Sequence, residues 1–315
     1  MFMSSGLFLL KNLSFFIAYR LVDSGYDVWL GNARGNLYSR NHTTLSPEEP
    51  EFWKFSWHEM GIYDLPATID YILNTTGQSR LFYVGHSMGG TMLHVLLSVK
   101  PEYNAKMRLV IGLAPGVFYN HFSSLPTISG IRSWPVLKEL LRATERYELL
   151  PYSEPTIALL YYLCSNSTVQ MAACEMLVEE TFGKTDGLNK SEIPLLAAMA
   201  LGGNSAFTTD HFVQLIKSGK FQQFDFGPEE NQQRYRSSTP PEYNLKMVTA
   251  PVAIHYGQTD KLVSDQDSIN LSKVLPNVAE VRRVPSEFFN HLDFISHKRV
   301  NQLLYDHVVK SMELY

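Results

Sequence analysis

The sequence predicts an α/β fold: a mainly parallel sheet flanked by helices and interrupted by a helical insertion. Three observations carry that expectation. Short runs rich in Val, Ile and Tyr alternate with stretches of helical periodicity. One such run passes through a glycine-rich turn directly into a helix-compatible stretch. The alternation stops near residue 118 and resumes near residue 246.

At the start, Leu13, Phe16, Ile17 and Leu21 recur at helical spacing, and Gly25 stands where such a helix would end. Lys11 and Asn12 interrupt the apolar run, and neither a basic leader nor a small-residue cleavage site is present. The segment therefore reads as an amphipathic core helix; it is neither a signal peptide nor a membrane span. Strands are expected over 26–30, 81–84, 109–113, Val252–Tyr256 and 280–284. Helices are expected over 65–75, with Pro66 in the first turn and Gly77 beyond the end, and over 88–99, 265–274 and 293–312. Residues 118–245 are helical, aromatic and punctuated by proline. The expected division is a core of 1–117 with 246–315 and a helical cap of 118–245.

At 315 residues and 45% hydrophobic, the chain is long enough to bury a full core plus an insertion. A net charge of −4 without a basic stripe excludes a nucleic-acid partner. Cys164 and Cys174 are too few for a disulfide scaffold, and no zinc spacing occurs. They suit one local bridge in an oxidising compartment or two free buried thiols. Sequons at Asn12, Asn41, Asn74, Asn166, Asn189 and Asn270 favour a secretory route as glycosylation candidates.

The chemistry centres on the run from Leu81 to Gly90, LFYVGHSMGG. A buried strand leads into Gly85-His86-Ser87-Met88-Gly89, the G-x-S-x-G elbow that lifts a serine hydroxyl out of the sheet at a helix N-terminus. The glycines flanking the serine are expected to be there because the turn leaves no room for β-carbons. Unpaired N–H groups at the helix start stabilise an oxyanion, and Met88 is the expected donor. A serine hydroxyl needs a base. His86 cannot fold back onto its neighbour, His255 lies within a strand, and His297 and His307 ride on a helix face. His291, in the loop after the last strand, is the expected base. Asp260, four residues after Tyr256, is the expected orienting carboxylate. Asp265 and Asp267 fall in the first turn of the next helix, where acids suit the dipole. No metal or cofactor is implied. The turn over 31–35 reads as structural, although Asn32 and Arg34 could face the site. The apolar stretch from Thr156 to Val178 is either a lid that meets lipid or an insertion core.

The blocks GYDVWLGNARGN, FWKFSWHEMGIYDLPATIDYIL, YVGHSMGG, the Asp260 segment and FFNHLDF resemble, in order over nearly the whole chain, the acid lipase family of gastric and lysosomal acid lipases. The resemblance implies an α/β-hydrolase fold and hydrolysis of triacylglycerols or cholesteryl esters at a lipid–water interface. It also implies secretion or lysosomal residence and a lid around 149–176. Ser87, Asp260 and His291 fall on the family's triad positions, and Cys164 and Cys174 on positions bridged in it. Family members also carry a signal peptide and N-terminal strands, one ending in His-Gly before a second oxyanion donor. Here Met1 falls at that donor position, and the strand that delivers it, normally between 26–30 and 81–84, is missing from the sequence. Losing one donor costs about 3 kcal/mol in the transition state, so little activity is expected of the chain alone. The alternatives are a catalytically silent lipid-binding relative and an inactive truncated product.

Overall fold

The computed structural model of the chain describes residues 17–165, 167–199 and 202–315, apart from the side chains of 197–199. In chain order the helices are α1 (Ile17–Asp23), α2 (Trp57–Glu59), α3 (Leu65–Thr76), α4 (Met88–Val99), α5 (Leu125–Thr144), α6 (Glu154–Leu163), α7 (Thr168–Phe182), α8 (Ile193–Met199), α9 (Ala206–Ser218), α10 (Pro228–Tyr235), α11 (Asp265–Val274), α12 (Asp293–Ser296) and α13 (Asp306–Met312). The strands are β1 (Leu81–His86), β2 (Met107–Leu113), β3 (Glu148–Leu149), β4 (Asn204–Ser205), β5 (Val252–Tyr256) and β6 (Val278–Arg283). Four of them form one parallel sheet in the order β1-β2-β5-β6, while β3 and β4 pair antiparallel within the insertion.

Both faces of the sheet are covered, which explains its nearly continuous apolar runs. Side chains alternate across a strand. Thus Leu109, Ile111 and Leu113 of β2 join Phe289, Phe294 and Val308 on one face, together with Ile17 and Leu21 of α1. Val110 points the other way, into a cluster with Ile69 of α3, Leu96 of α4 and Leu271 of α11. Helices α5 to α10 all lie between β2 and β5 in the chain. Among them a smaller apolar cluster forms around Trp134, Ala206 and Val213.

Two expected elements differ. Residues 26–30 form no strand, although Tyr26, Val28 and Leu30 are half-buried and Asp27 and Trp29 exposed, as a strand would have them. A strand requires a neighbour to exchange hydrogen bonds with. Instead, Val28 and the β1 residues Phe82 and Val84 all line one cavity of about 930 Å³. The helix expected over 293–312 is broken. His297, after α12, takes an extended backbone (ψ 127°), and its ring is drawn to Asp186, 3.0 Å away. The chain turns helical again at Asn301–Tyr305 and α13.

Candidate active site

The site lies at the carboxyl ends of β1, β5 and β6, where an open parallel sheet leaves its crevices. β1 ends at His86 and α4 begins at Met88, so Ser87 alone makes the bend, at φ 53° and ψ −116°. A serine pays for that backbone in strain, so its surroundings must hold it there. The Ser87 N–H donates to the Leu113 carbonyl at 3.0 Å. Its own carbonyl accepts from Gly90 at 2.9 Å and Gly116 at 3.1 Å.

Glycine is required on one flank as expected and at a different residue on the other. A β-carbon on Gly85 would stand 2.7 Å from the Tyr83 ring and 2.9 Å from the Gly89 backbone. One on Gly89 would meet nothing nearer than 3.7 Å, ordinary contact, whereas one on Gly90 would stand 2.6 Å from Pro115. The crowding falls one residue later because α4 packs against the 114–116 turn there. Met88, as the first residue of α4, presents an N–H with no carbonyl a turn earlier to meet.

Asp260 follows β5 and His291 follows β6, and the fold brings them together. Asp260 Oδ2 lies 2.7 Å from His291 Nδ1, with both side chains fully buried. The other oxygen, Oδ1, accepts from the N–H groups of Leu262 (2.8 Å) and Val263 (2.9 Å), which fixes the carboxylate plane. An ionised carboxylate only accepts, so His291 Nδ1 carries the hydrogen and Nε2 keeps a lone pair. That Nε2 is buried and has no hydrogen-bond partner among the described residues, the Ser87 hydroxyl included. Catalytic hydrogen bonds are often unformed before substrate arrives. The arrangement supplies a bent serine, an oriented imidazole with a free lone pair and a helix start, which are the parts of acyl transfer.

His86 packs its ring against that of His291, with centroids 4.7 Å apart. Its Nε2 donates to the His291 carbonyl at 3.0 Å, tying the elbow to the base loop. Burial first, and the neighbouring His291 second, hold its pKa well below the ordinary imidazole value. Asp293 was not foreseen either. Its carboxylate accepts from Asn290 N–H at 2.8 Å and from the Thr185 hydroxyl at 2.7 Å. Burial raises its pKa to about 7. The available signal was an acid two residues after His291 in an apolar run.

Arg34 and Asn32 border the cavity that His86 and Met88 also line, and each has polar partners within its own turn or the next helix start. Arg34 forms a fork on Asp64, with Nε 2.8 Å from Oδ1 and its backbone N–H 3.0 Å from Oδ2. Asn32 accepts from Asn36 at 3.1 Å. Asp265 and Asp267 occupy the first turn of α11, and Asp267 holds His121 at 2.8 Å. His255 is wholly buried in β5, and burial lowers its pKa to about 3. His307 rides on α13 and bonds Glu280 at 2.7 Å. His297 does not lie on a helix face; it is fully buried at the end of α12. Cys164 and Cys174 are joined by a disulfide between α6 and α7. Asn41, Asn74 and Asn189 are exposed and Asn270 is half-buried. Met1, Asn12 and Asn166 lie outside the described residues. Among the described residues no cluster suits a metal ion.

A serine bent at a strand–helix junction, with an aspartate and a histidine delivered by later strands of one parallel sheet, marks a hydrolase of the α/β type. The family model described as "alpha/beta hydrolase fold" matches residues 5–294. The chain belongs to that family, within its acid-lipase group. It is 38% identical to Lipase 1 of Drosophila melanogaster, over 96% of this chain and 67% of the relative. It is 36% identical to gastric triacylglycerol lipase of Bos taurus, over 94% of this chain and 74% of the relative. Lipase member K of Mus musculus is 34% identical, over 94% and 74%. Among solved structures, a soluble variant of monoglyceride lipase from Saccharomyces cerevisiae shares the fold. Its TM-score is 0.57 at 13% identity, over 97% of this chain and 83% of that one.

Proposed function

We propose that the chain is a carboxylic ester hydrolase acting on lipid esters, triacylglycerols or cholesteryl esters, by two-step acyl transfer. Ser87 attacks the ester carbonyl while His291 Nε2 takes its proton. Asp260 keeps the imidazole in the reactive tautomer and stabilises the imidazolium. The Met88 N–H faces the oxyanion, and water then releases the fatty acid. The observation that carries this reading is the 2.7 Å Asp260–His291 bond together with the unpartnered Nε2 beyond it.

The lipid substrate class is supported by the relatives, two lipases and a triacylglycerol lipase. It is supported also by the cap. Helices α6 and α7 bury none of their apolar side chains, and Leu159, Tyr162, Met176 and Leu177 are each more than half exposed. Exposed apolar side chains of that number favour a lipid–water interface. We read 118–245 as the cap on a core of the remaining residues, with the lid around 149–176. The disulfide and the exposed sequons at Asn41, Asn74 and Asn189 support glycosylation and a secreted or lysosomal location. Among the described residues no helix is long and apolar enough to cross a membrane.

Hydrolysis of a soluble p-nitrophenyl ester and of a triacylglycerol emulsion, with phosphonate labelling followed by peptide mass, tests the reading. Ser87→Ala is expected to lower turnover at least about 10⁴-fold and to abolish the label. Undiminished hydrolysis by that variant, or lipid binding by the wild type without any turnover, overturns it.

A further inference from the structure

Helix α7 ends at Phe182, and residues 182–186 cross between the loops that carry Asp260 and His291. The Phe182 carbonyl accepts from two N–H groups, Lys261 at 3.1 Å and His291 at 3.3 Å. A carbonyl oxygen has two lone pairs, and here each one is given to a different loop. The next carbonyls continue the pattern. Gly183 O accepts from Asn290 Nδ2 at 2.7 Å, and Lys184 O accepts from the Thr259 hydroxyl at 2.6 Å. The Thr185 hydroxyl donates to Asp293 Oδ1 at 2.7 Å, and Asp186 N–H donates to Phe288 O at 3.3 Å. Both neighbours of Asp260 in the chain are thus tied to this segment, as are His291 itself and residues on either side of it.

The approach is close enough to demand glycine at its centre. Gly183 sits at φ +109°, and a β-carbon there would stand 1.7 Å from the Thr259 carbonyl oxygen. β5 ends at Tyr256 and β6 at Arg283, so the sheet does not by itself set the distance between Asp260 and His291.

We propose that residues 182–186 are a positioning strap, through which the end of the cap helix sets the separation of the acid and base loops. The inference rests on the hydrolase reading above. Cap and acid–base pair are then one mechanical unit. Misplacing a reacting group by about 1 Å costs on the order of 100-fold in rate, so slackening the strap lowers turnover without touching substrate.

The test compares Thr185→Val, which keeps the shape and removes the hydroxyl, with Thr185→Ser, which restores it. A soluble short-chain ester is the substrate, assayed well below each variant's unfolding temperature. Thr185→Val is expected to lower kcat about 10-fold with KM within about 2-fold. The acid limb of its kcat/KM profile moves to lower pH, because a slackened His291 loop lengthens the contact through which Asp260 stabilises the imidazolium. The ionisable groups that face this ring are Asp260 and His86, with Asp293, Asp186 and His297 behind them. Thr185→Ser is expected to stay within about 3-fold of wild type. Gly183→Ala is the stronger perturbation, and the Thr185 pair decides the matter should it fail to fold. An unchanged kcat and acid limb in Thr185→Val, even with a lowered unfolding temperature, overturns the strap. Ser87→Ala is assayed beside them: if it loses turnover while Thr185→Val does not, the strap alone fails. Retained turnover in Ser87→Ala removes the hydrolase reading itself.

Discussion

Helix α4 of the core and helix α6 of the cap are both runs of leucine and other large apolar residues, yet they are packed oppositely. In α4, Leu93, Leu96 and Leu97 are wholly buried, as are the polar residues Thr91 and His94. In α6, Leu159, Tyr161 and Tyr162 are each more than half exposed, and no residue of the helix is buried. The difference lies in what surrounds them. α4 is enclosed by β1, α3 and the turns at Met60–Asp64 and Pro101–Lys106, so a helix apolar on every side finds partners on every side. α6 has the disulfide at its end and α8 beside it, and the rest of its surface faces outward. Apolar composition therefore reports a demand for partners; which partner meets it depends on position in the fold. In the core the partner is protein, and in the cap we assign it to lipid.

The comparison breaks most decisively at the chemistry of the core. Asp260→Asn leaves the shape and reverses the preferred imidazole tautomer, so kcat on a soluble ester is expected to fall about 10³- to 10⁴-fold with circular dichroism unchanged. Activity within 10-fold of wild type would separate Asp260 from the mechanism. Next in size is Leu96→Ala in α4. A cavity at a site with no exposure costs about 2–5 kcal/mol, read as a lowered midpoint in urea. A cost below about 1 kcal/mol would show that α4 is less tightly enclosed than its burial implies.

A pH dependence comes third. Burial lifts the Asp293 pKa to about 7, above the roughly 3.9 of an unfolded aspartate. The charged form is thus disfavoured in the folded state. Its contribution to stability is whole below about pH 4 and is lost as pH rises through about 7. The buried histidines act oppositely: burial lowers the His211 and His255 pKa values to about 3, so they destabilise on the acid side of about 6.5. The difference between wild type and Asp293→Asn isolates the carboxyl. The melting temperature of wild type relative to the variant is expected to fall from pH 5 to pH 8. A difference that stays flat over that range would mean Asp293 titrates where an exposed acid does.

The smallest stability effect is expected in the cap. Tyr161→Ser with Tyr162→Ser should change unfolding free energy by less than about 0.5 kcal/mol per site, as exposed positions do. The same double variant should lose hydrolysis of a triacylglycerol emulsion while keeping that of a soluble ester. Equal loss on both substrates would place these tyrosines in the core's service instead of the interface's.

Much of the fold was legible because its signals are local. The buried runs of β1, β2, β5 and β6 and the boundaries of α3, α4 and α11 follow from side-chain period and end signals within a dozen residues. The elbow is readable for the same reason, since strand, bend and helix are consecutive. Asp260 and His291 could be named from their places after two strands, and the structure sets them 2.7 Å apart.

What the sequence determined by itself was thus a parallel α/β core, an interrupting helical segment and a serine on a tight bend. Tertiary structure alone decided the rest. It left 26–30 without a strand partner among the described residues, because pairing needs a second chain segment that no local pattern reveals. It moved the crowded glycine from Gly89 to Gly90, because the obstacle is Pro115, far along the chain. It broke the final helix at His297, whose ring answers to Asp186. And it bound the end of the cap helix to both the Asp260 and His291 loops, through hydrogen bonds between residues about 75 to 110 positions apart. Such bonds depend on which loops the topology sets side by side, and periodicity carries no record of that.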